Sequence, residues 1–237
     1  MAFPTDVIAL VYIMPGINRP LHGVRISVML GTMSQAPAEK PKENKAEPLP
    51  RSPELMSASD TALLVVDVQG KLVSLIPGHE RIVWNIRRLL DAAKLLGVAA
   101  AATEQYPQGL GPTVPELAER LNSIPGKLRF SCGECSQIFS DWNDRGLFKM
   151  LVVGIEAHVC VQQTVLDLLA AGRRVYLAID AIGSRYDIDY QAALRRMDSA
   201  GATLTTTEAA LFEWCEVAGT PEFKEISRLV RETPPGA

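Results

Sequence analysis

Apolar positions fall into a repeating order from Thr61 onward. Ala62-Leu-Leu-Val-Val66 is an unbroken apolar run closed by Asp67. A short run without alternation predicts a strand buried on both faces, as in a parallel sheet. Ile82, Ile86, Leu89 or Leu90, Ala93 and Leu96 then recur at three- or four-residue spacing. That spacing predicts a helix over 81–96, with Gly97 as the left-handed residue that ends it. The unit recurs, with strands predicted at 98–103, 150–154, 175–179 and 202–205. Helices are predicted at 159–171 and 190–200, stopped by Gly172 and Gly201, and an outer helix at 221–231. Strands alternating with helices of this length predict an α/β fold with a parallel sheet and helices on both faces.

In parallel α/β sheets, sites lie beyond the carboxyl ends of the strands. Three positions stand out on that rule alone: Asp67, the stretch Thr103-Glu-Gln-Tyr-Pro107, and Gly154-Ile-Glu-Ala-His-Val-Cys160. Upstream of the repeating pattern the composition changes. Pro37, Pro41, Pro48, Pro50 and Pro53 alternate with Glu39, Lys40, Lys42, Glu43, Lys45 and Glu47. Such a stretch buries too little apolar surface to offset its ordering entropy, which predicts a disordered linker over 34–57. Residues 1–57 are therefore expected to be a disordered extension, or one read from a start upstream of the true one, with Met33 and Met56 as alternative starts. Val7–Met14 is apolar, but Asp6 precedes it and no Lys or Arg does, so a signal peptide is not expected. The folded domain is placed at 58–237.

The 237 residues suffice for one such domain, and at 47% apolar they can build its core. A net charge of −3 argues against nucleic-acid or membrane-surface partners. No apolar run approaches the roughly 18 residues of a membrane span. Four cysteines in a chain this long do not make a disulfide scaffold. They read as reduced thiols in a cytoplasmic protein, one of which is a candidate nucleophile.

Cys160 falls in the first turn of a predicted helix, where free N–H groups and the helix dipole favour a thiolate, so its pKa is expected to fall. A small buried hydrophobe is the alternative reading. Asp67, ending an apolar strand, is either a loop cap or a general base. Lys127 is either a surface lysine or a fixed cation that tunes a neighbouring thiol. Sequence spacing alone does not bring the three together. His22, His79 and His158 are the whole histidine content, and none is placed as a remote base. No His or Asp occurs over 92–140, so no metal site is expected. Cys132-Gly-Glu-Cys135 has the C-x-x-C spacing of a redox pair or half a zinc site, but nothing completes the zinc site. No phosphate-binding glycine motif occurs, and no cofactor is expected.

Val65-Val-Asp67-Val-Gln69, Lys127-Leu-Arg-Phe-Ser131 and Gly154-Ile-Glu-Ala-His-Val-Cys160-Val-Gln-Gln-Thr164, in this order, resemble the isochorismatase-like hydrolases over residues 58–230. Thr103-Glu-Gln-Tyr-Pro-Gln-Gly-Leu-Gly111 resembles the branch of isochorismatase domain-containing proteins. The resemblance implies a three-layer α/β/α, Rossmann-like fold with a mainly parallel central sheet. It implies an Asp–Lys–Cys triad, carried by Asp67, Lys127 and Cys160. It further implies a cis peptide between Ile155 and Glu156, with the N–H groups of Glu156 and Cys160 as an oxyanion hole. The nicotinamidase branch carries metal ligands after the second strand that this chain lacks. True isochorismatases lack the cysteine, so its presence favours acyl chemistry on an amide-like C–N bond. Gln69 and Gln105 are expected to fix polar substrate atoms, and Tyr106, Phe130 and Trp142 to wall the pocket, with core packing as the alternative for all five. The expectation is thus a metal-free cysteine hydrolase of a small-molecule substrate, working through a thioester as a homo-oligomer. A non-catalytic binding or regulatory protein, and a thiol redox protein using Cys132 and Cys135, are the alternatives.

Overall fold

The computed structural model describes residues 48–236. The start placed at Met33 and most of the proline- and lysine-rich linker lie outside the described residues. Six strands form the sheet: β1 (Thr61–Val66), β2 (Ala99–Gln105), β3 (Gly126–Lys127), β4 (Lys149–Ile155), β5 (Arg174–Gly183) and β6 (Thr203–Thr205). Their order is β3-β2-β1-β4-β5-β6, and every pairing is parallel. The long helices among the described residues are α2 (His79–Leu96), α5 (Ser136–Asp144), α6 (Gln162–Ala170), α7 (Asp187–Ser199), α8 (Thr207–Cys215) and α9 (Pro221–Val230). Single turns α1 (Gly70–Val73), α3 (Pro107–Leu110) and α4 (Pro115–Ala118) lie in the loops. None of the described helices is long and apolar enough to cross a membrane.

The unbroken apolar strands make two cores. Leu63 and Val65 of β1 and Leu151, Val153 and Ile155 of β4 face one side, against Ile82, Ile86 and Leu89 of α2, Leu211 and Trp214 of α8 and Ile226 of α9. Ala62, Leu64 and Val66, with Met150 and Val152, face the other, against Trp142 of α5, Val165 and Leu168 of α6 and Leu194 and Met197 of α7. Successive strand side chains point to opposite faces, so both parities must be apolar for the sheet to be covered twice. The fold is thus the three-layer α/β/α arrangement that the pattern and the resemblance predict.

The differences are local. Residues 51–57 belong to the folded unit, although composition had set them aside. Met56 is fully buried in the core, its N–H donates to Glu213 Oε2 at 2.8 Å, and Tyr176 Oη donates to the Glu54 carbonyl at 2.7 Å. One apolar anchor and a few main-chain bonds outweigh the prolines and charges around it. β5 runs four residues past its predicted end at 179, and α5 and α8 are helices the apolar spacing did not mark. Past Lys127, residues 128–131 form a run of bends.

β1 is flanked by β2 on one side and β4 on the other, so the chain's crossovers diverge here and open a crevice at the carboxyl ends of β1 and β4. The two strands approach closely at their ends. Gly154 pairs with Val66 at φ 117°, and a Cβ there would meet the Val66 carbonyl oxygen at 2.2 Å. Only glycine fits such an approach without moving backbone. G154A is expected to lower unfolding free energy by at least about 2 kcal/mol, through the positive φ and the steric clash together. Chemical denaturation read by tryptophan fluorescence checks this.

Candidate active site

The strand ends and the turns after them deliver polar side chains to the crevice. Asp67 follows β1 in the left-handed region, at φ 53°, with its N–H on the Thr103 carbonyl at 3.2 Å. Asp is among the few L residues that tolerate that region. Lys127 is the last residue of β3 and pairs in register with Gln105 at the end of β2. Cys160 lies in a π-helical turn, Ala157–Val161, between β4 and α6. Such turns are rare and frequently lie at functional sites.

The topology thus brings together three groups that sequence spacing could not. Lys127 Nζ donates to Asp67 Oδ2 at 2.8 Å, and both side chains are fully buried. The same ammonium donates to Gln105 Oε1 at 2.7 Å, to the Phe130 carbonyl at 2.8 Å and, more weakly, to the Arg129 carbonyl at 3.3 Å. Asp67 Oδ1 accepts from the Thr103 hydroxyl at 2.8 Å. The Cys160 thiol sits beside the Asp67 carboxylate and 3.9 Å from Gln105 Oε1, and the residue is only 5% exposed.

Electrostatics follow from this packing. Burial opposes the charge on Lys127, but the Asp67 carboxylate outweighs it and raises the lysine pKa. The Cys160 thiol moves against the expectation from helix position: its pKa is raised, first by burial and then by Asp67, with Lys127 offsetting only part. The dipole of one irregular turn does not compete with desolvation and an adjacent carboxylate. Both effects favour the neutral Cys160 thiol over the thiolate. Burial likewise pushes Cys132 up to about 12 and raises Cys135, away from the accessible, low-pKa thiols that exchange disulfides readily.

The other expected site residues divide. Gln105 is in the cluster, its Nε2 on the Leu128 carbonyl at 2.8 Å and its oxygen on Lys127. Gln69 is not free for a substrate. Its Nε2 donates to the Gln105 and Gly111 carbonyls at 3.0 and 2.6 Å, and its Oε1 accepts from the Gln105 N–H at 2.8 Å. It clamps the loop after β2. Tyr106 and Phe130 stand half-exposed on the loops that follow β2 and β3. Trp142 does not wall this crevice: it is buried in the core, edge-on to Phe139, under the amino-terminal end of β2. The Ile155–Glu156 peptide is cis, and the Glu156 carboxylate accepts from the Arg185 N–H and Nε, each at 3.1 Å. Thr103 and Thr164 lie within stretches that the sequence singles out, but it assigns neither a role. A threonine closing the alanine run Ala99–Ala102 was the visible signal for the first. Among the described residues, no group of three or more His, Cys, Asp or Glu side chains is arranged to hold a metal.

Comparison with known proteins places this geometry in a family. The family model described as Isochorismatase domain matches residues 61–209. "Isochorismatase domain-containing protein 2" of Homo sapiens is 40% identical over 175 residues, covering 74% of this chain and 85% of that protein. The solved structure of MAR1 Ribonuclease from Caenorhabditis elegans is 40% identical with a TM-score of 0.71, over 76% of this chain and 94% of that one. YcaC from Pseudomonas aeruginosa, solved with hexane-2,5-diol and covalent acrylamide, is 25% identical with a TM-score of 0.67, over 75% and 92% of the two chains.

The raised thiols give a stability signature. A group whose folded pKa lies above its unfolded value stabilises the fold fully below the unfolded value, and that contribution is lost as pH rises toward the folded one. For Cys132 the window runs from the ordinary thiol value of 9.0 to about 12. Unfolding free energy is expected to fall with pH in this window, and C132A to fall less steeply, by up to about 1.4 kcal/mol per pH unit. Urea denaturation at a series of alkaline pH values measures both slopes.

Proposed function

The chain belongs to the isochorismatase domain family, and from that membership we propose that it is a metal-independent cysteine hydrolase that cleaves a small amide or related C–N bond. The observation that carries this reading is the buried cluster of Cys160, Asp67 and Lys127 at the switch point of a parallel sheet. A thiol, an adjacent carboxylate and a fixed cation are the parts a nucleophilic acyl transfer needs.

Because the thiol rests neutral, its deprotonation is coupled to attack. Asp67 takes the thiol proton as Cys160 Sγ adds to the substrate carbonyl. The N–H groups of Glu156 and Cys160 receive the tetrahedral oxyanion. The carbon–nitrogen bond then breaks, and Asp67 returns the proton to the leaving amine. Water, deprotonated by Asp67, adds to the thioester and releases the acid and the thiol. Lys127, locked among Asp67, Gln105 and the Phe130 carbonyl, keeps the carboxylate aimed. The YcaC structure carries covalent acrylamide, an electrophile of the kind thiols attack. The absence of His and Asp over 92–140 supports the metal-independent form of the reaction.

The same reading includes a homo-oligomer and a cytoplasmic setting. Tyr106, Leu128 and Phe130 are large apolar side chains, each at least half exposed, around the loops that follow β2 and β3, and such a patch is what a second subunit covers. All four cysteines are free, as a reducing compartment keeps them.

A library of small amides and carbamoyl compounds, screened for ammonia or amine release, is expected to yield a substrate. C160A is expected to lower kcat/KM on it by at least about a thousandfold, and D67N by a comparable factor. Full turnover by C160A would overturn the mechanism.

A further inference from the structure

One buried thiol in the cluster has no part in the chemistry above. Cys132 opens the short 3-10 turn Cys132–Glu134, is fully buried, and lies with its Sγ 3.3 Å from Thr103 Oγ1. Thr103 is itself fully buried, two residues before the end of β2, in register with Val66 of β1. Its hydroxyl is 2.8 Å from Asp67 Oδ1.

Counting protons fixes the direction of these bonds. An ionised carboxylate only accepts, so the single hydroxyl proton of Thr103 points to Asp67. The threonine oxygen then turns its lone pairs toward Cys132, and the bond there must come from the S–H. Burial, which raises the Cys132 pKa to about 12, keeps that proton in place. The turn has a second hold on the site. The Cys132 N–H donates to Thr164 Oγ1 at 2.9 Å, and Thr164 Oγ1 donates to the Cys160 carbonyl at 2.7 Å. One hydroxyl therefore connects Cys132 to the base, and another connects it to the nucleophile's backbone.

We propose that Thr103 and Cys132 are positioning residues for the base: an S–H to O–H to carboxylate chain that holds Asp67 Oδ1 while Lys127 holds Oδ2, and so sets the pH at which Asp67 becomes protonated. This rests on the reading of Asp67 as the base of Cys160. A hydrogen bond to the charged form favours that form. The charged and titratable groups around Asp67 are Lys127 from β3, Cys132 and Cys135 from the turn after it, and Cys160 from the turn after β4. Lys127 favours the carboxylate. Of the thiols, Cys160 lies against the same carboxylate and Cys132 reaches it through Thr103. Thr103 is thus the fixed donor on Asp67 Oδ1, opposite Lys127 on Oδ2, and Cys132 is what keeps the hydroxyl oriented. The C-x-x-C spacing, on this reading, reflects a donor placed behind the base rather than a redox couple.

The test is the rate of Cys160 alkylation by iodoacetamide from about pH 4 to about pH 10, with mass spectrometry to locate the label. In the wild-type protein the rate is expected to fall on an acid limb where Asp67 gains its proton. T103V is expected to move that limb upward by about one pH unit, and T103S to restore it. C132A is expected to move it in the same direction by less, and C132S, which keeps a donor, to leave it in place. A merely structural role would change the melting temperature without moving the limb. Should T103V not fold, the C132A and C132S pair carries the test, since it changes only the donor behind Thr103. If D67N abolishes the limb while neither T103V nor C132A moves it, the positioning chain is wrong and Asp67 remains the base. If the limb persists unchanged in D67N, Asp67 is not the base and the chain falls with it.

Discussion

The ion pair between Asp67 and Lys127 is the constraint around which the rest of the site is arranged. Both side chains are fully buried, and a lone charge there would carry a desolvation penalty of several kcal/mol. The pair persists because nearly every donor and acceptor on it is filled. Lys127 reaches three close oxygens and one distant one, and Asp67 receives the lysine and the Thr103 hydroxyl. Those partners come from the ends of β1, β2 and β3 and the loop after β3. A parallel sheet supplies such an arrangement because all its strands end on one side, where main-chain groups beyond the last pairing still need partners.

That demand explains features that otherwise look unrelated. Residues 128–131 leave the strand conformation so that the Arg129 and Phe130 carbonyls can turn back on Lys127. The Glu134 carboxylate then takes up the Leu128 and Arg129 N–H groups at 3.0 and 2.6 Å. Asp67 occupies the left-handed region because the chain must turn at the end of β1 while its N–H stays on the Thr103 carbonyl. Gly154 lets β4 come close enough to β1 for the π turn carrying Cys160 to sit against that carboxylate. Glu156, bound by the Arg185 main chain and side chain, fixes the near side of the same turn to the loop after β5.

The frame was legible in the sequence because a doubly covered parallel sheet leaves an unmistakable pattern: apolar at both parities, as in Leu63 to Val66, then a polar residue where the strand leaves the core. Asp67, Lys127 and Cys160 could be named from motif order, and Gln105 from its place at the end of β2. What the sequence hid is what depends on side-chain direction. Gln69 and Gln105 look alike on paper, yet one is spent on main-chain bonds and the other faces the lysine. Trp142 lies on a helix whose apolar spacing was not marked, so nothing indicated that it points to the sheet's amino end. The Cys160 pKa was misjudged for a related reason: helix position is readable from sequence, but burial and the neighbour across the crevice are not. Met56 shows the same limit from composition, since one anchor among prolines and charges leaves no average signature.

The neutral resting thiol gives the buried pair its chemical sense in the proposed reaction. Before attack the cluster holds a carboxylate, an ammonium and a thiol. After the proton moves it holds a carboxylic acid, an ammonium and a thiolate. The net charge is the same in both, so no uncompensated charge appears in the buried site as the nucleophile forms. Lys127 stays protonated throughout, because the carbonyl of Phe130 and the amide of Gln105 hold it whichever partner carries the negative charge. It neutralises Asp67 at rest and faces the thiolate during attack. A histidine base would add a positive charge on accepting the proton. A carboxylate removes a negative one, which suits a crevice that already contains a fixed cation. In the proposed reaction the same balance keeps the thiolate scarce until a carbonyl is held beside Cys160 and its developing oxyanion meets the N–H groups of Glu156 and Cys160.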